Sequence, residues 1–90
     1  AQYIGRAYTY TRFGSDGLPR DARRMVLGPG GLIAEGANKC EKFWCVRGER
    51  LQIADNKGQP IMDLELQPDG GTWGGRWLQH EKMPVELRPA

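Results

Sequence analysis

Tryptophan and tyrosine are the residues of this chain best placed for chemistry, because the residue types that usually carry catalysis are scarce. The single serine, Ser15, lies in a Gly-Ser-Asp-Gly sequence that is typical of a tight turn. The single histidine, His80, is not spaced to predict a triad with it. A set of Cys40 or Cys45 with His80 and Glu81 stays an alternative, since such groups need to be adjacent only in space. We predict that the protein is not an enzyme.

Two cysteines, Cys40 and Cys45, allow two interpretations. A disulfide closing this short loop would suit an exported domain, and two reduced thiols, at least one of them buried, are the alternative. One histidine is too few for a four-ligand zinc set, and the glycine-rich segments match no phosphate-binding pattern. We therefore predict neither a metal nor a cofactor.

Trp73 and Trp77 fall on one face of a predicted strand, with Gly75 between them. The missing side chain of Gly75 is expected to leave a space between the two indole rings. The pair predicts a pocket floor for a small apolar or carbohydrate-like ligand, with Arg76 or Gln79 supplying polar contacts. The alternative is that the tryptophans fill the interior of a small barrel, which needs large side chains.

Three further aromatic residues extend this ligand hypothesis. Trp44 is predicted to support the tryptophan site, and Tyr8 and Tyr10 to form a second binding surface. The two tyrosines share a strand face with Arg6 and Arg12, whose charges would be costly to bury. We therefore expect the tyrosine face to lie outside and the opposite face, with glycine and alanine, to lie inside.

The elements that must position these residues are short strands, because glycine-rich bursts recur roughly every 8–14 residues along the chain. Between the bursts, apolar residues alternate with polar ones, as they do from Leu51 to Ile53. This period of two predicts strands with one buried face. The predicted strands cover residues 4–13, 22–28, 31–36, 41–47, 50–55, 60–66, 72–78 and 83–88.

Eight short strands with short connections predict a single domain over residues 1–90, in which sequential strands pair as antiparallel neighbours. Closing the sheet removes its exposed edges. We therefore predict an all-β fold, a small antiparallel up-and-down β-barrel, rather than two packed sheets. Residues 19–24 allow at most one helical turn.

The charge balance bears on the choice of partner. The chain carries 13 basic and 11 acidic residues, a net charge of +2, which is too small to imply a nucleic-acid partner. Residues 1–24 hold five arginines against two aspartates, an excess of +3. This basic face would attract an anionic partner or, as the alternative, discourage aggregation at a sheet edge. No apolar run approaches the roughly 20 residues of a membrane-spanning helix.

Residues 41–70 carry a resemblance to a known family. A strand with Trp44, a Leu-Gln-Ile strand, an Asp-Asn-Lys-Gly turn at 55–58 and another alternating strand follow one another. In this order the segment resembles small lipocalin-type and streptavidin-type barrels, in particular the Inh-type bacterial inhibitors of secreted metalloproteases. The resemblance implies a barrel fold and a periplasmic or secreted location, with the cytoplasm as the alternative.

This sequence also departs from that family. Those inhibitors insert a short N-terminal trunk into the protease cleft, whereas this chain runs almost at once into a predicted strand. Their disulfide spans a longer loop than Cys40 and Cys45 would close. For these reasons no functional residue is carried over.

Two functions are therefore predicted. The first is a non-enzymatic bacterial binding domain for a small apolar or carbohydrate-like molecule, such as a glycan. Its predicted ligand-binding residues are Trp73, Trp77, Arg76, Trp44, Tyr8 and Tyr10. The second is a protein-binding module, either a secreted protease inhibitor or an accessory domain of a larger protein.

Overall fold

The computed structural model describes residues 3–37, 41–78 and 83–90, which form eight strands and one 3-10 turn. The strands are β1 (Ala7–Phe13), β2 (Pro19–Leu27), β3 (Ile33–Glu35), β4 (Phe43–Arg47), β5 (Arg50–Ala54), β6 (Pro60–Leu66), β7 (Trp73–Trp77) and β8 (Pro84–Pro89). The 3-10 turn, Pro29–Gly31, lies between β2 and β3. Among the described residues, no helix is long and apolar enough to cross a membrane.

The strands form one antiparallel sheet in the order β3-β2-β1-β8-β7-β6-β5-β4. Except for β3 and β4, which lie at the two ends of this order, strands that are consecutive in the chain are neighbours, and β1 pairs with β8. The sheet curls into a nearly closed barrel whose two end strands, β3 and β4, come together. This topology confirms the predicted up-and-down antiparallel barrel.

A seam between β3 and β4 completes the barrel. Leu32 forms an isolated antiparallel bridge with Phe43. The indole Nε1–H of Trp44 donates to the carbonyl oxygens of Gly28, at 2.9 Å, and Leu32, at 3.1 Å. Trp44 therefore connects β4 by hydrogen bonds to the segment of chain between β2 and β3.

The inward side chains of the strands fill the barrel, which confirms the predicted alternation. On β5, for example, Leu51 and Ile53 are buried while Gln52 between them is exposed. The buried apolar side chains among the described residues are Tyr8, Tyr10, Met25, Leu27, Leu51, Ile53, Ile61, Met62, Leu64, Trp73, Trp77, Val85 and Leu87. Packing to this extent leaves the inner face of the sheet largely covered by its own side chains.

The tyrosine face of β1 points inward, so the prediction that Tyr8 and Tyr10 lie outside is wrong. Their exposed fractions are 0% and 1%. The expected cost of burying arginine is avoided in two ways. Arg6 precedes β1 and is exposed, and Arg12 lies near the end of β1, where it is only partly buried.

Residues 19–24, which allowed one helical turn, belong instead to β2. Their backbone pairs with β1 in a ladder that extends to Pro19, opposite Phe13. The polar residues Asp21 and Arg23 continue the inward alternation of the apolar part of β2. Because they pair with β1, residues 19–24 are part of a strand rather than a helical turn.

Several glycine-rich bursts form tight turns, as predicted. In the turn between β6 and β7, Gly70 has a φ of +78°, which glycine adopts readily. The carboxylate of Asp69 accepts the backbone N–H groups of Gly71 and Thr72 and the Thr72 hydroxyl, at 2.9, 2.8 and 2.6 Å. Asp69 therefore holds this turn together.

Candidate binding sites

The residues of the predicted tryptophan site are divided between the two sides of the barrel wall. Trp73 and Trp77 point inward and are 1% and 7% exposed. Arg76 lies on the outer face and is exposed. Gln79 lies outside the described residues. The indoles therefore belong to the core, as the alternative interpretation predicted, and Arg76 is separated from them by the sheet.

Gly75 does not leave a space between the two indoles, so that prediction is wrong. A Cβ added to Gly75 would lie 1.9 Å from the carbonyl oxygen of Asp63 and 2.6 Å from Cα of Leu64. The backbone of β6 therefore occupies the space that was expected between the two indole rings. Glycine is needed here for the close approach of β7 to β6.

The remaining predicted aromatic residues pack within the barrel. Trp44 is partly buried at the seam, where its indole N–H is hydrogen-bonded. Tyr8 is wholly buried, and its hydroxyl has no hydrogen-bond partner among the described residues. Neither residue presents a broad aromatic face to solvent, and the proposed second binding surface of Tyr8 and Tyr10 lies inside the barrel.

Four inward residues of β1 and β2 form a polar cluster at one end of the barrel, which we call the polar tile: Tyr10, Arg12, Asp21 and Arg23. In the ladder, Tyr10 lies opposite Arg23, and Arg12 lies opposite Asp21. We call this end, which carries the turns at 14–18 and 55–59, the upper rim. Of these four residues, only Tyr10 was predicted from the sequence as a site residue. The sequence does contain a signal for Arg12, Asp21 and Arg23. They are charged residues at the inward positions of strands whose other inward residues are apolar or aromatic.

Arg23 is the centre of the polar tile. Its guanidinium contacts Asp21 Oδ2 at 2.5 Å and Glu41 Oε1 at 2.6 Å, and its Nε–H donates to the carbonyl oxygen of Gly36. Its Cζ lies 4.4 Å from the ring centroid of Tyr10, a cation–π contact. The side chain of Glu41 is wholly buried and that of Arg23 is partly exposed, so the carboxylate of this ion pair is shielded from solvent.

Tyr10 connects the tile to the core. Its hydroxyl oxygen accepts the indole N–H of Trp77 at 3.2 Å. Burial raises the pKa of Tyr10 above its ordinary value, against the opposing effects of the Trp77 hydrogen bond and of the charges on Arg23 and Arg12. The hydroxyl therefore keeps its proton at neutral pH and is available as a donor.

Arg12 is the charged residue of the tile that has no ion pair with the described residues. Its Nη1 contacts the Sδ atom of Met83 at 3.2 Å. No carboxylate of the described residues lies within ion-pair distance of it, because Asp21, its partner in the ladder, contacts Arg23 instead. A thioether is a weak acceptor, so most of the five N–H donors of this guanidinium have no strong partner in the described structure.

A second candidate site is a shallow groove on the outer face of β4–β7, which we call the outer groove. One part is lined by Cys45, Arg47, Arg50 and Gln52. The other part is lined by Arg50, Asp63, Glu65, Gln67, Gly74, Gly75, Arg76 and Leu78. Arg50 lines both parts and so joins them into one surface.

Charges of both signs line the outer groove. Arg50 lies 3.6 Å from Asp63 and 3.4 Å from Glu65. Arg47 and Arg76 are exposed, and neither has an ion-pair partner among the described residues. The exposed side chain of Leu78 adds apolar surface at the edge of the second part.

Of the residues considered for catalysis, the structure describes Ser15 and Cys45, which lie on different elements. Ser15 is exposed in the turn between β1 and β2. Cys45 is an exposed free thiol on the outer wall, so it is neither buried nor in a disulfide. Cys40, His80 and Glu81 lie outside the described residues.

Searches with this sequence found no matching protein-family model and no matching curated protein. The polar tile and the outer groove are therefore the features from which we infer function. They lie on opposite sides of the barrel wall: the tile faces the interior at the upper rim, and the groove faces outward.

Proposed function

We propose that this chain is a non-enzymatic binding module that recognises a protein partner with its outer groove. The partner segment that suits the groove is extended and acidic, with an apolar residue to cover Leu78. The observation that carries the proposal is the presence of two exposed arginines, Arg47 and Arg76, that have no ion-pair partner among the described residues.

The packed interior favours recognition on the outside of the barrel. Trp73 and Trp77 are the largest aromatic surfaces of the predicted site, and both are enclosed. Exposing one indole to a ligand would cost several kcal/mol of apolar burial, at about 25 cal/mol per Å² over roughly 200 Å². A partner that binds the outer groove meets no such cost.

The arginines supply the electrostatic part of the recognition. Arginine is enriched at the energetic centres of protein interfaces, where its planar guanidinium binds carboxylates through two parallel hydrogen bonds. Arg50 is engaged with acidic neighbours, so Arg47 and Arg76 on either side are the ones available to a partner's carboxylates. Their separation across four strands requires an extended partner segment.

The mixture of charges favours a protein over a nucleic acid. Asp63 and Glu65 line the groove together with the arginines and would repel a phosphate backbone, which is charged at every nucleotide, whereas a peptide can place its carboxylates opposite the arginines alone. The amides of Gln52 and Gln67 add neutral hydrogen-bonding groups. A polar rim with an apolar anchor such as Leu78 is the usual composition of a protein interface.

This proposal develops the second of the two functions predicted from the sequence. An inhibitor of a secreted protease is one form of it, and an accessory domain of a larger protein is another. The first function, binding of an apolar or carbohydrate-like ligand through Trp73, Trp77 and Arg76, has less support because the indoles and Arg76 lie on opposite sides of the sheet.

The test is a titration of the ¹⁵N-labelled chain with a capped peptide of alternating glutamate and leucine. We expect backbone amide shifts confined to β4–β7 and weaker binding as salt concentration rises. The variant Arg47→Glu/Arg76→Glu should abolish the shifts. Arg6→Glu/Arg24→Glu makes the same change in net charge on another part of the surface and should preserve them.

Three outcomes would overturn the proposal. The peptide leaves the outer groove amides unmoved, or both double variants lose binding equally, which would indicate a net-charge effect alone. In the third outcome, a DNA duplex binds the same amides more tightly than the peptide does, which would assign the groove to nucleic acid.

A further inference from the structure

Two hydrogen-bond donors at the upper rim lack an oxygen acceptor among the described residues. The acceptor that Arg12 contacts within the described part of the chain is the weakly accepting sulfur of Met83. The Tyr10 hydroxyl accepts the Trp77 N–H, so its own proton needs a separate acceptor, and none of the described groups takes it. Because polar groups at buried sites are normally paired, the two donors indicate a missing acceptor.

The neighbouring acids are committed elsewhere. Asp21 and Glu41 both contact Arg23, which also binds a backbone carbonyl. The tile therefore contains one arginine, Arg23, that is paired with carboxylates and one, Arg12, that has no carboxylate partner among the described residues. The contrast is informative because both arginines point to the same end of the barrel from adjacent strands.

The two donors are close enough to share one acceptor. Tyr10 and Arg12 are two residues apart on the inward face of β1, which separates their Cα atoms by roughly 7 Å. The guanidinium charge of Arg12 acts to lower the pKa of Tyr10, in keeping with a short separation between the two groups. Arg12 is partly exposed, so a ligand from solvent would meet its guanidinium first.

We propose that the upper rim binds a small organic monocarboxylate, whose oxygens accept hydrogen bonds from Arg12 and from the Tyr10 hydroxyl. The charge of Arg12, which no carboxylate of residues 3–37, 41–78 or 83–90 pairs, suits a monoanion, and the carboxylates of Asp21 and Glu41 nearby disfavour a dianion such as phosphate. The apolar part of the ligand would contact Met83 at the rim. This site is separate from the outer groove and does not depend on the function proposed for it.

The experiment is a titration of the ¹⁵N-labelled chain with sodium hexanoate, at an ionic strength held constant with sodium chloride. We expect saturable shifts of the Arg12 Nε–H and Trp77 indole N–H signals. The variant Arg12→Met should weaken hexanoate binding at least about tenfold, because a charge-assisted pair is lost. Tyr10→Phe, which removes a neutral donor, should weaken it about fivefold.

The matched control is Arg24→Met, which removes an arginine from the outer face of β2 and should leave hexanoate binding unchanged. Should Arg12→Met fail to fold, Arg12→Lys keeps the charge and loses the planar fork, and we expect binding to weaken at least about threefold. The proposal is overturned if hexanoate causes no saturable shift beyond chloride, if the Arg12 variants bind as the parent does, or if sodium phosphate binds equally well.

Discussion

Gly75 and Asp63 are in closer contact than any residue with a side chain at position 75 would permit. A Cβ there would lie 1.9 Å from the Asp63 carbonyl oxygen, in the backbone of the adjacent strand. In contrast, a Cβ at Gly74 would meet the side chain of Gln67, at 3.1 Å, which can move aside. Two consecutive glycines of β7 therefore have different roles.

We predict that Gly75→Ala lowers the free energy of unfolding by about 2 kcal/mol or more, because β6 and β7 must separate to admit the methyl group. Gly74→Ala is the control and should change it by less than about 1 kcal/mol. Urea unfolding followed by tryptophan fluorescence measures both. Equal effects at the two positions would show that the close approach of β6 is not a strong constraint.

Asp69 makes the stability of the chain depend on pH. Hydrogen bonds from the Thr72 hydroxyl and from the backbone N–H groups of Gly71 and Thr72 lower the pKa of Asp69 to about 2, from an ordinary value of 3.8. The folded-state pKa is the lower one, so the stabilisation is fully present above pH 3.8 and is lost as pH falls through about 2.

Asp69→Asn should therefore narrow the difference in unfolding free energy between neutral pH and about pH 2. The control Glu49→Gln removes an exposed carboxylate from another turn and should leave that difference unchanged. Chemical denaturation at a series of pH values tests this, and an NMR titration of the Asp69 carboxyl carbon reports its pKa directly. A midpoint near 3.8 would contradict the prediction.

Trp44 should hold the seam of the barrel closed. Trp44→Phe keeps an aromatic ring but removes the hydrogen bonds to Gly28 and Leu32, so we expect a loss of about 1–2 kcal/mol. The loss should be local. Hydrogen exchange should accelerate at the Ile33 amide, which bonds the Lys42 carbonyl across the seam, and stay unchanged between β1 and β8. Uniform acceleration would place the effect elsewhere than at the seam.

The ion pair between Arg23 and Glu41 should show coupling. Arg23→Met deprives a wholly buried carboxylate of a cation, and we expect a loss of about 3 kcal/mol. Glu41→Gln in the Arg23→Met background should recover part of that loss, because the charge left behind is removed. Thermal unfolding of the two single variants and the double variant gives the coupling free energy. If the changes in unfolding free energy of the two single variants simply add up in the double variant, the ion pair contributes little to stability.

The sequence predicted the architecture because its signal is local. The alternation along β5, in which Leu51 and Ile53 are buried and Gln52 is exposed, depends only on the geometry of a strand. Glycine-rich turns at short intervals then leave an antiparallel meander as the simplest connection. The same local reasoning failed for Tyr8 and Tyr10, because the cost of burying Arg12 depends on how close it lies to the end of the barrel.

The sequence specifies the alternation of strands and turns, since a period of two and the glycine-rich turns depend on neighbouring residues, but it did not specify which face of β1 lies inside. Which charged groups pair with each other follows from the arrangement of the strands in three dimensions. Arg12 and Arg23 are both inward arginines near an aspartate, yet Asp21 contacts Arg23 rather than its own ladder partner. That choice depends on Glu41, Tyr10 and Gly36 converging from other parts of the chain, and pairings of such range leave no periodic trace in a sequence.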